Sequence, residues 1–172
     1  MSEAGTHLAV ARARAGVAPA APDRVDEASV MAALAEVPDP ELPVLSVVEL
    51  GIVHRVEVGQ DVIRVAILPT FVGCPALDVI ADSIVARLSA FGRTVEVAPT
   101  FEVPWTSDRI TAAGRAALRE AGIAPPTEAE DVRCPWCGSE RVVMDSAFGP
   151  TQCRSLFYCR DCRQPFEALK SV

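Results

Sequence analysis

Five of the six cysteines of this 172-residue chain crowd into its C-terminal quarter, and their spacing is that of metal ligands. Cys134-Pro135-Trp136-Cys137 and Cys159-Arg160-Asp161-Cys162 are two Cys-x-x-Cys knuckles, each short enough to bring two sulfurs to one ion at about 2.3 Å. Together Cys134, Cys137, Cys159 and Cys162 supply a closed tetrahedral site for which zinc is the expected metal. The 21 residues between Cys137 and Cys159 slightly exceed the usual ~15–20, and strand-like runs at 141–144 and 155–158 make a hairpin that absorbs the excess. With four positions filled, such an ion supplies folding energy and has no open site for catalysis. Iron in the same cage is the alternative, because geometry alone does not separate the two. A thioredoxin-type redox pair fits less well, since there are two such pairs and neither opens a helix in a βαβ unit. Arg133, Arg154, Arg160 and Arg163 stand where they could offset the two excess negative charges of four thiolates. Cys153 is left over, and reads as a small buried apolar residue or as a fifth thiol able to exchange with the cage; the first reading is preferred.

A second constellation lies in the first half of the chain. Gly73-Cys74-Pro75 places a thiol at a helix start with proline in the first turn. Free amides and the positive end of the helix dipole there favour thiolate, although a single cysteine at a helix start is more often structural. Asp39-Pro40-Glu41 sets two carboxylates on a proline-stiffened loop, which by itself reads as a solvated acidic turn. His54 alternates with apolar neighbours along a strand, so it reads as an edge or satisfied histidine, and His7 lies in the N-terminal leader.

The elements that must position these groups can be read from periodicity. Asp26 caps a first helix carrying Val30, Leu34 and Val37 inward, which stops before Pro38. Residues 52–58 and 62–68 are β-rich and joined at Gly59-Gln60. From Pro75, Leu77, Ile80, Ile84, Leu88 and Phe91 recur at helical steps until Gly92. A third strand covers 95–101, and a helix from Thr106 or Ser107 to Gly122 turns Ile110, Ala113, Ala117 and Leu118 inward. Pro125-Pro126 and the acidic residues 128–131 read as a linker. The fold class is therefore α+β, with a leader at 1–25 expected to be unstructured, a domain at 26–124 with a short mixed sheet and helices on one face, a linker at 125–131 and a metal ribbon at 132–172.

Formal charge is −7; from Asp131 on there are six Lys or Arg against five Asp or Glu, so all of the net negative charge sits in the preceding body. An acidic body argues against nucleic acid as a partner, because phosphate affinity comes from clustered Lys and Arg. No apolar run approaches the ~18 residues of a membrane helix, and no export signal is visible, so a reduced, cytoplasmic protein is expected.

Asp39-Pro40-Glu41, Glu49-Leu50-Gly51-Ile52-Val53 and Pro69-Thr70-Phe71-Val72-Gly73-Cys74-Pro75-Ala76 resemble the signature of the MIP18 (DUF59) family, whose members are linked to iron–sulfur protein maturation. The runs Pro104-Trp105-Thr106-Ser107-Asp108, Gly114-Arg115 and Gly122 to Pro126, and a tail from Cys134 through Phe148-Gly149-Pro150-Thr151-x-Cys153 to Pro165-Phe166, are similar to one branch. That branch is the D subunits, also labelled J, of phenylacetyl-CoA 1,2-epoxidases, the multicomponent ring-oxygenating enzymes of aerobic phenylacetate degradation. The similarity spans residues 30–170, with His54 standing where the branch often carries Arg and Pro150 where Ser is common. It implies a MIP18-like domain followed by a zinc ribbon, in a subunit without catalysis of its own. It further implies Cys74 as a reactive thiol, with Asp39 and Glu41 as acidic partners for a transient iron or iron–sulfur cluster, and gives weight to Cys153 as an accessory thiol. The implied partners are the oxygenase and reductase subunits, and self-association is left open. A general iron–sulfur cluster assembly or carrier factor is the alternative function.

Overall fold

The computed structural model of the chain describes residues 11–13, 25–71, 75–127 and 131–172. Its first helix, α1 (Glu27–Leu34), begins with a reciprocal cap: the Asp26 carboxylate accepts from the Ser29 amide at 2.9 Å, and the Ser29 hydroxyl accepts from the Asp26 amide at 3.1 Å. Val30, Ala33 and Leu34 are buried, and the chain leaves the helix before Pro38. Next come the hairpin strands β2 (Val53–Val58) and β3 (Val62–Ile67), the helix α2 (Leu77–Leu88) and the strand β4 (Thr94–Pro99). A short 3-10 turn over Ser89–Phe91 ends α2 at Gly92, which closes the helix in the left-handed region at φ 69°.

Strand β3 pairs antiparallel with β2 and parallel with β4, so α2 is the crossover that a parallel pair requires. The sheet is completed by β1 (Ala11–Ala13) antiparallel to β4, giving the order β1-β4-β3-β2. That strand falls within the leader expected to be unstructured; three of its residues are sheet, Val25 packs against the core, and the rest of the leader, His7 included, lies outside the described residues. Alternation sorts the two faces. Ile63, Val65, Ile67, Val95 and Val97 join α1 and α2 in one core, while Arg64 and Glu96 pair at 2.9 Å on the other face.

One sequence expectation shifts. The segment after Thr106 is not one helix: Ser107–Arg109 is a 3-10 turn, Ile110 is extended, and α3 (Ala112–Glu120) starts where the Thr111 hydroxyl accepts from the Gly114 amide at 3.0 Å. Thr111 is the stronger cap, and starting there rotates Ala113 to solvent and puts Gly114 against the Glu49 backbone.

After α3 the chain enters a second sheet, β5 (Ile123–Ala124), β6 (Val142–Ser146), β7 (Arg154–Cys159) and β8 (Pro165–Leu169), in the order β5-β8-β7-β6. Because β5 pairs with β8, residues 123 and 124, expected to close the first domain, side with the ribbon. Its small core stacks Phe157 on Phe166, ring centroids 5.7 Å apart, beside Ala124, Val132 and Ala168. The two units are stitched together at both ends of the ribbon. Gly122 adopts φ 78° under the Trp136 ring, and at the far end Leu169 is buried in the larger core while the Ser107 amide donates to the Val172 carbonyl at 3.2 Å. No helix among the described residues is long and apolar enough to cross a membrane.

Candidate functional site

Cys134 and Cys137 sit on the turn that leads to β6, while Cys159 ends β7 and Cys162 follows in the turn before β8. The two turns are built alike. Gly138 at φ 73° donates its amide to the Cys134 carbonyl, and Arg163 at φ 60° does the same to Cys159. All four sulfurs lie within 4.8 Å of one another, with Cys134 to Cys162 at 3.6 Å and Cys137 to Cys159 at 3.7 Å. Zn–S bonds of about 2.3 Å in a tetrahedron demand sulfur–sulfur edges of about 3.8 Å, so the donor set fits zinc as it stands. Amides of Cys162 and Asp161 hold the Cys159 thiol well below its ordinary value, at about 6, against the opposing effect of burial. Burial pushes Cys134 and Cys162 upward, so those thiols must release protons as the ion enters.

The side chain of Asp161, inside the second knuckle, ties it to the first. It accepts from the Ser139 hydroxyl at 2.5 Å and from Arg141, whose Nε lies 2.8 Å away and whose Nη2 also reaches the same oxygen. The sequence reading missed this clamp, although an acidic residue between two ligands was the available signal. It also placed Arg154 near the cage to offset charge. The structure instead commits that guanidinium to Glu167 at 2.6 Å, Thr151 at 3.0 Å and the Glu41 carbonyl at 3.3 Å.

Those last contacts lead to the acidic loop. Asp39 is only 5 % exposed, and its Oδ1 accepts from the amides of Glu41 at 2.9 Å and Leu42 at 2.7 Å. Burial pushes its carboxyl up, with these two amides and the charge of Arg154 pulling the other way. Thus Asp39 is no solvated turn residue. Glu41, two residues on, has Oε2 3.9 Å from the Cys153 sulfur, delivered by the ribbon loop that precedes β7. An inner cavity of about 30 Å³ between the two units is lined by Asp39, Glu41, Trp105, Cys153 and Leu169 among others. Beside it an open groove of about 300 Å³ runs past Glu41, Phe71, Pro75, Phe148 and Cys153. Cys74 lies outside the described residues. His54, as expected of an edge histidine, pairs with an acid on the strand margin, Glu102, at 3.5 Å.

Two family models match this chain. The PaaD zinc beta ribbon domain covers residues 120–170 and the iron–sulfur cluster assembly protein family covers residues 27–98. A curated relative from Escherichia coli (strain K12), the D subunit of a putative 1,2-phenylacetyl-CoA epoxidase, is 37 % identical over 161 residues, which is 88 % of this chain and 96 % of the relative. The chain belongs to the phenylacetyl-CoA epoxidase D-subunit family. Solved structures similar to about half of the chain are a DUF59 domain from Bacillus anthracis and a conserved hypothetical protein from Thermotoga maritima. The first is 25 % identical, with 54 % of this chain and 90 % of that one covered and a TM-score of 0.45. The second is 31 % identical, with 55 % and 95 % covered and a TM-score of 0.45. The ribbon model matched by this D-subunit chain starts at 120, in agreement with β5 as a ribbon strand.

Proposed function

We propose that this chain is a non-catalytic accessory component of a phenylacetyl-CoA epoxidase system that helps load or maintain the iron or iron–sulfur centres of the oxygenase and reductase subunits. The observation that carries the reading is the buried Asp39 and its neighbour Glu41 in a cleft between a segment matched by an iron–sulfur assembly family and a zinc ribbon matched by the PaaD ribbon family. Zinc held by Cys134, Cys137, Cys159 and Cys162 would fix the ribbon against that cleft without reacting. The cargo is iron or a cluster, for which Cys74 offers a soft donor and Asp39 and Glu41 hard ones.

The test is a strain lacking this chain. Its oxygenase and reductase subunits should carry less iron, and growth on phenylacetate should fail and be rescued by the wild-type chain but not by Cys74→Ser. Full iron content and normal growth without the chain would refute the proposal. The match to an iron–sulfur assembly family supports a second reading, a general cluster assembly or carrier factor. It predicts that the same deletion lowers unrelated iron–sulfur enzymes as well.

A further inference from the structure

Three phenylalanines stand in water: Phe148 is 80 % exposed, Phe101 61 % and Phe71 37 %. All three line one connected surface. An open groove of about 580 Å³ runs past Phe71, Phe101, Val103, Trp105 and Val172, and it meets the groove of Phe148 and Glu41 at Thr70 and Phe71. A contiguous exposed apolar surface of this kind marks a place where another molecule is seated. The surface is also held in shape before anything binds. The indole N–H of the buried Trp105 donates to the Leu50 carbonyl at 3.0 Å, and the segment carrying Phe101 is tied to β2 because Glu102 accepts from Arg55 at 3.2 and 3.3 Å. The Ser146 hydroxyl donates to the Phe148 carbonyl at 2.9 Å and accepts from its amide at 3.1 Å, while the Lys170 ammonium lies 5.5 Å from the Phe148 ring centroid. Ordering a ring in water costs entropy without burying it, and burial against a partner would offset that cost.

Charge indicates the kind of visitor. Among the described residues Glu41 is the one charged side chain lining either groove, and its carboxylate has no ion-pair partner there. The neighbouring cations are engaged elsewhere: Arg154 with Glu167 at 2.6 Å, Arg55 with Glu102, and the Lys170 ammonium with the Gln152 carbonyl at 2.7 Å. Together with the net negative charge of the body, this favours a cationic visitor and disfavours an acyl-CoA, whose phosphates would meet charge of their own sign. We propose that the two joined grooves are the docking site for a polypeptide segment of a partner subunit, one that carries apolar anchors for Phe101 and Phe148 and a lysine or arginine for Glu41. The inference rests on the accessory-component reading above and adds to it the surface and the chemistry by which the partner is held.

The test measures binding of the full, zinc-loaded and iron-free chain to separately purified oxygenase and reductase subunits of the same system by biolayer interferometry, over a series of salt concentrations. One of the two should bind. Phe101→Ser and Phe148→Ser should each weaken that binding roughly tenfold or more. Glu41→Gln should weaken it less and flatten its salt dependence. Val143→Ser, on a strand that lines neither groove, should leave it unchanged. Every variant should retain one zinc per chain and the wild-type circular dichroism spectrum, which verifies the fold. Wild-type affinity in both phenylalanine variants overturns the inference while the iron content of the deletion strain still judges the loading reading. Absence of binding to either subunit overturns it as well. Two other results would overturn it by naming a different occupant: a dimer of this chain, seen by sedimentation, that Phe148→Ser dissolves, or displacement of the bound subunit by phenylacetyl-CoA.

Discussion

Substituting Gly122 separates two physical costs that coincide at one residue. Its φ of 78° is a left-handed conformation, and a Cβ built there comes within 2.2 Å of the Trp136 ring. Gly122→Ala therefore incurs a backbone penalty of about 1–2 kcal/mol. It also displaces a ring that is half-exposed, at a further cost of about 1 kcal/mol in lost packing. The sum, about 2–3 kcal/mol, should appear as a lower urea midpoint followed by far-ultraviolet circular dichroism at saturating zinc. In a Trp136→Ala background the same change should cost only the backbone part, so the double-mutant cycle returns a coupling near 1 kcal/mol. Gly122→Asn should invert the pattern, because asparagine tolerates the left-handed region but still carries the Cβ. Trp136 lies between the ligands Cys134 and Cys137, so Gly122→Ala should also speed zinc loss to a chelator. An identical Gly122→Ala cost with and without Trp136 would show that the ring is not in the way and refute the packing argument.

Cys137→Ala should reduce bound zinc from one per chain to well below one and melt the ribbon, read by metal analysis and by loss of protease resistance after residue 122; retention of stoichiometric zinc would disprove the cage. Asp161→Asn removes the carboxylate that Ser139 and Arg141 share across the knuckles, and zinc affinity should fall by about tenfold in chelator competition while the fold persists. Asp39→Asn tests burial of a carboxyl whose pKa lies above its ordinary 3.8. A raised carboxyl stabilises the fold fully below the unfolded-state value and loses that contribution as pH rises through the folded-state value. In iron-free protein compared with Asp39→Asn at matched pH and metal content, relative stability should accordingly decline as pH climbs from below 3.8 upward, and parallel urea-midpoint curves for the two proteins would contradict it.

The four-cysteine cluster was legible because its spacing is local. Cys134 and Cys137, and Cys159 and Cys162, each fit one turn, and a strand pairing brings the two turns together. Helices α1 and α2 were legible for a similar reason: the cap at Asp26 and the three-and-four step of Leu77, Ile80, Ile84 and Leu88 are short-range signals. What escaped were interactions whose partners are distant in sequence. Asp39 looked like a solvated turn because nothing nearby says that Trp105 and Leu169 will close over its cavity. Arg154 looked like a counter-charge for the zinc because its actual partners, Glu41 and Glu167, lie on other elements. Strand β5 was lost in a proline-bounded run of two residues, too short for any alternation to register.

The contact between Glu41 and Cys153 joins positions 112 residues apart, which sets an order of events during synthesis. At 5–20 residues per second, the ribbon follows the acidic loop by roughly 5–20 s. The first domain, whose sheet and helices come mainly from residues 27–99, emerges and can fold in that interval with its acidic loop uncovered. The Cys153 thiol arrives only with the ribbon. A chain whose ribbon had not yet closed would then keep an open, one-sided cleft.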